Sequence, residues 1–384
     1  MSIPLAVPNL GGNEAAYLAE CVASNFVSSV GPFVERFERE FAAFVGARYA
    51  VACTTGTAAL HVALQLAGAG PQQLVAVSDF TFIASVNAAV YTGADVLLVD
   101  AERATWNMDT ARLHDHVVAR AARGERIPDV IEVVHVLGHP ADLEPLLALR
   151  DRFGIPIVED AAEALGATYT AGPVKGQHVG TCGLLGCYSF NGNKIITTGG
   201  GGMIVTDDAE LAGRARHLTT QAKVPGRGYV HDEVAYNYRL TNVAAALGVA
   251  QLEQLPAFLE RKRDIATAYR TQLAGLPVEP GPAASWAAPS FWLSSVLLAG
   301  ADRDDVLDGL EREGVGARPL WPPMHQQAPH VHHDRIGGEV SDDLFRRGLS
   351  LPSSTGLAVS ELQHTIAALT TLISQDEHSR KAEP

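Results

Sequence analysis

Between residues 49 and 158, short apolar runs rich in β-formers alternate with segments of helical spacing, and few architectures accept that order. Runs at 49–53, 74–77, 96–99, 130–134 and 155–158 read as buried strands, with helices at 57–67, 82–92 and 143–152. Strands that are apolar on both sides and separated by helices predict an α/β fold, a mostly parallel sheet covered on each face. Ligands of such sheets gather at the carboxyl ends of the strands, so functional side chains are sought there. Upstream, Phe33, Phe37, Phe41 and Phe44 share one helical face, and Gly46 suits the end of that helix.

A chain of 384 residues, 47% hydrophobic, can bury a large core and exceeds one typical domain. The helical pattern over 243–273 is expected to break or kink at Pro256. Past Pro277 prolines become frequent, with a β run at 293–298 and a helix at 304–313. A domain boundary near Pro256 is therefore expected, the second domain being smaller and α+β. The polar residues 376–384 are expected to fray.

The formal charge of −14 opposes binding to nucleic acid or anionic membranes, and no run of Lys or Arg forms a basic stripe against it. Neither a secretory leader nor a membrane-length apolar run is legible, so a soluble cytoplasmic protein is expected. Cys21, Cys53, Cys182 and Cys187 lack CxxC spacing and read as free core thiols. His330, His332 and His333, beside Asp334, lack helical HxxxH spacing and read as a solvated loop; no metal site is expected.

Lysine occurs only at Lys175, Lys194, Lys223, Lys262 and Lys381. Lys262, in the charged stretch 260–264, and Lys381, in the tail, read as solvated, while Lys175 and Lys223 flank glycine or proline turns. Lys194 differs: it lies between the strand-like run 186–190 and Ile195-Ile196, a setting that can desolvate an amine and lower its pKa. The run Ile155-Pro156-Ile157-Val158 delivers Glu159 and Asp160 at the carboxyl end of a strand. One carboxylate there could hold a cationic ring nitrogen, although acidic residues also favour a helix N-terminus. Cys53-Thr54-Thr55-Gly56-Thr57 reads as strand, tight turn and helix start, where free N–H groups and hydroxyls suit a phosphate, or where Thr simply caps the helix. The glycine run 199–202 precedes a strand, so it fits neither the dinucleotide fingerprint nor the P-loop, which weakens an oxidoreductase reading.

In this order the pieces resemble the sugar aminotransferases of the DegT/DnrJ/EryC1/StrS type. The resemblance runs from Gly31-Pro32-Phe33-Val34-Glu35-Arg36 to Leu351-Pro352-Ser353-Ser354. It is most specific at Glu159-Asp160-Ala161-Ala162-Glu163-Ala164-Leu165-Gly166 and at Ser189-Phe190-Asn191-Gly192-Asn193-Lys194-Ile195-Ile196. It implies the aspartate-aminotransferase fold, PLP fold type I: a large domain, 1–255, with a mostly parallel sheet of the seven-stranded type, and a small C-terminal domain, 256–384. It implies pyridoxal 5'-phosphate as cofactor, carried as a Schiff base on Lys194, with Asp160 at the pyridine nitrogen. Gly56, Thr57 and Ser189 would hold the phosphate, Phe82 would stack on the ring, and Glu163 would sit near the 3-hydroxyl. Asn237, in Tyr236-Asn237-Tyr238-Arg239, would reach the phosphate of a neighbouring subunit, which requires a homodimer. His325 matches a family histidine and is the candidate sugar or phosphate contact. Two positions depart from the family pattern: Thr55 stands where serine is usual, and His330 where relatives often have tyrosine.

The resemblance implies transfer of an amino group from an amino acid, expected to be L-glutamate, to a nucleotide-linked keto-sugar. Together with His135-Val136-Leu137-Gly138-His139-Pro140, the lysine motif is similar to the subgroup that aminates C4 of UDP-4-keto-6-deoxy-N-acetylhexoses for bacillosamine or legionaminic acid. Amination at C3, a dTDP- or GDP-linked sugar, and a PLP-binding regulatory protein without turnover are the alternatives.

Overall fold

The computed structural model describes residues 2–226 and 228–381, with side chains in the last helix as far as Ser374. Its main sheet has eight strands, in the order Tyr49–Cys53, Gly202–Thr206, Leu185–Ser189, Ile157–Asp160, Val130–Val134, Leu74–Ser78, Asp95–Val99 and Asp334–Ile336. The last five pairings are parallel, and Gly202–Thr206 alone opposes both of its neighbours. The mostly parallel sheet is thus the expected one, with a further edge strand supplied from beyond residue 330.

Side-chain alternation along each strand builds two cores, one on each face. Ala50, Ala52, Ile131, Val133 and Met203 face the helices Pro32–Val45 and Asn242–Gln272. Val51, Cys53, Val75, Val77 and Ile204 face Gly56–Leu66, Ala84–Tyr91 and Ala209–Thr219. Phe37, Phe41 and Phe190 meet at ring distances of 5.1–5.9 Å, so the phenylalanine face read from the sequence is a buried one. Gly46, at φ 78°, ends that helix in the left-handed conformation that glycine adopts without strain.

A second sheet, Arg318–Pro319, Gly348–Leu351, Ser294–Leu298 and Val278–Pro280, is antiparallel throughout. It packs with Ile265, Tyr269, Leu310 and Leu369 into a third core. Pro256 does not end the helix before it: Asn242–Gln272 runs through it. A proline removes one backbone bond and crowds the preceding turn, but both halves of this helix are buried, which offsets the loss. The division at 255/256 is retained as a proposal, and two segments cross it: Ile3 bridges to Val315, and Asp334–Ile336 joins the large sheet.

Several local expectations change. The strand expected at 155–158 is Ile157–Asp160, so both carboxylates lie within it. Lys262 is not solvated but 4% exposed, because its helix position turns inward although its neighbours in sequence are charged. His330 is likewise buried, its Nε2 3.0 Å from Asn87 Oδ1. Helix Val359–Lys381 continues past residue 376, where fraying was expected; residues 382–384 and the Lys381 side chain lie outside what is described. The four cysteines are free, three of them buried. Among the described residues no helix is long and apolar enough to cross a membrane.

Candidate active site

A cavity of about 290 Å³ opens at the carboxyl ends of the central strands. Gly56, Thr57, Phe82, Asp160, Glu163, Ser189 and Lys194 all line it. They come from four separate stretches of chain, brought together because the strands before or within them, Tyr49–Cys53, Leu74–Ser78, Ile157–Asp160 and Leu185–Ser189, run in one direction and end on the same edge of the sheet.

Strand alternation assigns the two carboxylates of Glu159-Asp160 to opposite faces. Glu159 points into a closed network: it lies 2.9 Å from His135 Nε2 and accepts from the N–H groups of Gly180, Cys182 and Gly183. Ala141 N–H donates to His135 Nδ1, which leaves the proton on Nε2, facing Glu159. Burial pushes the Glu159 carboxyl up, but those bonds hold it below its ordinary value. Asp160 points into the cavity. It accepts from Ser85 Oγ at 2.8 Å and from Ala162 N–H at 3.0 Å, one bond on each oxygen. Burial raises its pKa, only partly opposed by those bonds. A lone pair on each oxygen stays available to a donor in the cavity.

Lys194 follows the strand Leu185–Ser189 in a turn closed by its own N–H on Asn191 O. Its Nζ lies 3.6 Å from Glu163 Oε1 and 3.8 Å from the centroid of the Trp292 ring. Burial lowers the amine's pKa despite Glu163 and Asp160, the direction a nucleophilic lysine requires. Burial also lifts Glu163 to about 7, against the pull of Lys194.

The turn before helix Gly56–Leu66 suits a phosphate. Thr55 Oγ1 accepts from Ala58 N–H, capping the helix, and among the described residues the N–H groups of Gly56 and Thr57 have no partner. A Cβ on residue 56 would come within 2.8 Å of Ser189 Cβ, so only glycine lets the two segments approach this closely. Two free N–H groups and the hydroxyls of Thr57 and Ser189 as donors, a buried carboxylate as acceptor and a desolvated amine as nucleophile together fit pyridoxal phosphate.

Two expected site residues do not line the cavity. Asn237 is exposed; its neighbour Tyr238 accepts through its backbone oxygen from Thr54 N–H at 2.8 Å, so the segment that carries Asn237 packs beside the turn that follows strand Tyr49–Cys53. His325 has Nδ1 2.7 Å from Asp79 Oδ2 and Nε2 3.1 Å from Asp342 Oδ1, so both ring nitrogens already face carboxylates. Conversely, Ser85, Trp292 and Trp321 line the cavity and went unread in the sequence. The tryptophans stack at 6.2 Å and 15° and arrive from about a hundred residues downstream; their only signal is that tryptophan occurs four times in the chain.

Comparison with known proteins agrees with this geometry. The model of the DegT/DnrJ/EryC1/StrS aminotransferase family matches residues 8–370. EpsN of Bacillus subtilis, described as a pyridoxal phosphate-dependent aminotransferase, is 38% identical over 375 residues, covering 96% of this chain and 95% of EpsN. A GDP-perosamine synthase of Caulobacter vibrioides is 38% identical over 372 residues, covering 96% of this chain and 97% of that protein. The crystal structure of the aminotransferase TlmJ of Streptoalloteichus hindustanus superposes with a TM-score of 0.88 at 28% identity, covering 99% of this chain and all of that one. The chain belongs to the DegT/DnrJ/EryC1/StrS aminotransferase family, with the aminotransferase fold, and is a sugar aminotransferase that uses pyridoxal phosphate.

Proposed function

We propose that the chain transfers an amino group from L-glutamate to C4 of a nucleotide-linked 4-keto-6-deoxy sugar, with Lys194 and Asp160 as its catalytic residues. The observation that carries the reading is the convergence of a desolvated lysine and a buried carboxylate on one cavity beside a free phosphate turn. Pyridoxal phosphate, when bound, supplies the electron sink for amino exchange. The N–H groups of Gly56 and Thr57, with the hydroxyls of Thr57 and Ser189, hold its phosphate. Phe82, 52% exposed and lining the cavity, offers an apolar face to its ring. Asp160 holds a proton at the ring nitrogen, Glu163 meets the 3-hydroxyl, and Lys194 Nζ both anchors the cofactor and moves the proton exchanged with substrate.

Asn237 reaches the phosphate of a second copy, so the working unit is a homodimer, placed in the cytoplasm. Its exposure outside its own cavity is compatible with that role. His325, braced between two carboxylates, would meet the sugar or its phosphates only by giving up one of those partners.

For the nucleotide, the motifs at 135–140 and 189–194 favour a UDP-linked N-acetylhexosamine. The name of the Caulobacter relative favours a GDP-linked sugar as a second reading. A panel of UDP-, GDP- and dTDP-linked keto-sugars, each added to enzyme previously converted to the pyridoxamine form, decides between them. The true substrate restores the visible spectrum, and product analysis separates C4 from C3 amination. Failure of every keto-sugar in the panel would overturn the substrate proposed here and favour the regulatory reading.

A further inference from the structure

Lys262 is a buried amine that meets no carboxylate among the described residues. Its Nζ donates to the backbone oxygens of Trp292, at 2.8 Å, and Ser353, at 2.5 Å. Burial pulls its pKa down to about 7, so keeping an amine here is costly where methionine would fill the same space. What the amine touches accounts for its presence. Trp292 is the residue whose ring centroid lies 3.8 Å from Lys194 Nζ. The same indole donates from Nε1 to Asn193 O at 2.7 Å, clamping the residue just before Lys194. Ser353, the second anchor, accepts through Oγ from Ser294 N–H at 2.8 Å, two residues past Trp292. Trp321 backs the indole in a near-parallel stack. Two direct contacts therefore run from helix Asn242–Gln272 to the amine in the cavity: Lys262 Nζ to Trp292 O, and the Trp292 ring to Lys194 Nζ.

We propose that Lys262 is a positioning residue for Lys194: it fixes the backbone of Trp292 so that the indole covers Lys194 Nζ and holds the turn that carries it. The proposal rests on the reading of Lys194 as the cofactor lysine. The Lys262 amine ties the Trp292 carbonyl to that of Ser353, one hydrogen bond to each, and a cover only about 4 Å from Lys194 Nζ loses its effect with a small displacement.

The test is the rate at which hydroxylamine strips the cofactor from the holoenzyme, followed by loss of the visible band. This reads how well Lys194 is covered, which a merely structural role would not move. K262M and W292A should each accelerate release on the order of tenfold, and the double variant should be no faster than W292A, since both remove one cover. Y269F removes the neighbouring bond from Tyr269 to Pro352 O, outside the cavity, and should release at the wild-type rate. If K262M does not fold, K262Q carries the same comparison, with faster release that is not additive with W292A. Wild-type release in the folded Lys262 variant, equal acceleration in Y269F, or additivity with W292A would overturn the proposal. Wild-type enzyme whose cofactor is not attached at Lys194 would instead refute the reading beneath it.

Discussion

Ser85 Oγ donates to Asp160 Oδ2 at 2.8 Å, joining a helix start to the last residue of a central strand. Thr81 Oγ1 lies 2.8 Å behind Ser85 Oγ, so the carboxylate that faces the cavity is fixed by a short relay of hydroxyls. D160N preserves the shape and removes the charge, and should lower kcat on the order of 100-fold or more in steady-state assays. S85A removes only the brace, and should cost on the order of tenfold, the worth of one hydrogen bond to a charged group.

Glu163 gives a pH dependence with a definite sign. Its carboxyl is raised from 4.5 to about 7, so the folded state holds a proton that the unfolded state has released. That contribution is fully present below pH 4.5 and is lost as pH rises through about 7. Denaturant titrations of the apoenzyme should show stability declining across this window, and E163Q should flatten the decline.

Gly56→Ala tests the phosphate turn without altering any polar group. Its Cβ would stand 2.8 Å from Ser189 Cβ, and the backbone of one segment must shift to accept it. Cofactor affinity, titrated by absorbance, should weaken at least about tenfold while the fold persists.

Much of this architecture was legible because its signals are local. Strand runs, the cap at Thr55, the stop at Gly46 and the setting of Lys194 are each written in a few adjacent residues. What went unread depends on which way a side chain turns once packed. The sequence offers Glu159 and Asp160 as equals, and only strand alternation sends one to His135 and the other to the cavity. Lys262 looks solvated among Glu260, Arg261, Arg263 and Asp264, yet its turn of the helix faces the small sheet. Trp292 and Trp321 reach the cavity through tertiary folding alone.

Glu132 is unpartnered at the centre of the sheet. It is fully buried on the central strand Val130–Val134, and among the described residues neither oxygen has a hydrogen-bond partner. Two residues on, Val134 pairs with Asp160, so both carboxyls share a face, and burial with the charge of Asp160 raises Glu132 well above 4.5. Folding therefore retains its proton, and stability is lost as pH rises above 4.5. E132L should stabilise the protein by about 1–3 kcal/mol in urea denaturation near neutral pH, and by less at pH 5.

The central claim is that Lys194 carries the cofactor. Borohydride treatment of the purified holoenzyme, followed by peptide mapping, tests it most directly. The expected result is a visible band that bleaches on reduction and a stable phosphopyridoxyl group on Lys194, both absent in K194A. A reduced adduct on another lysine, or a wild-type protein that takes up pyridoxal phosphate without forming one at Lys194, would contradict it.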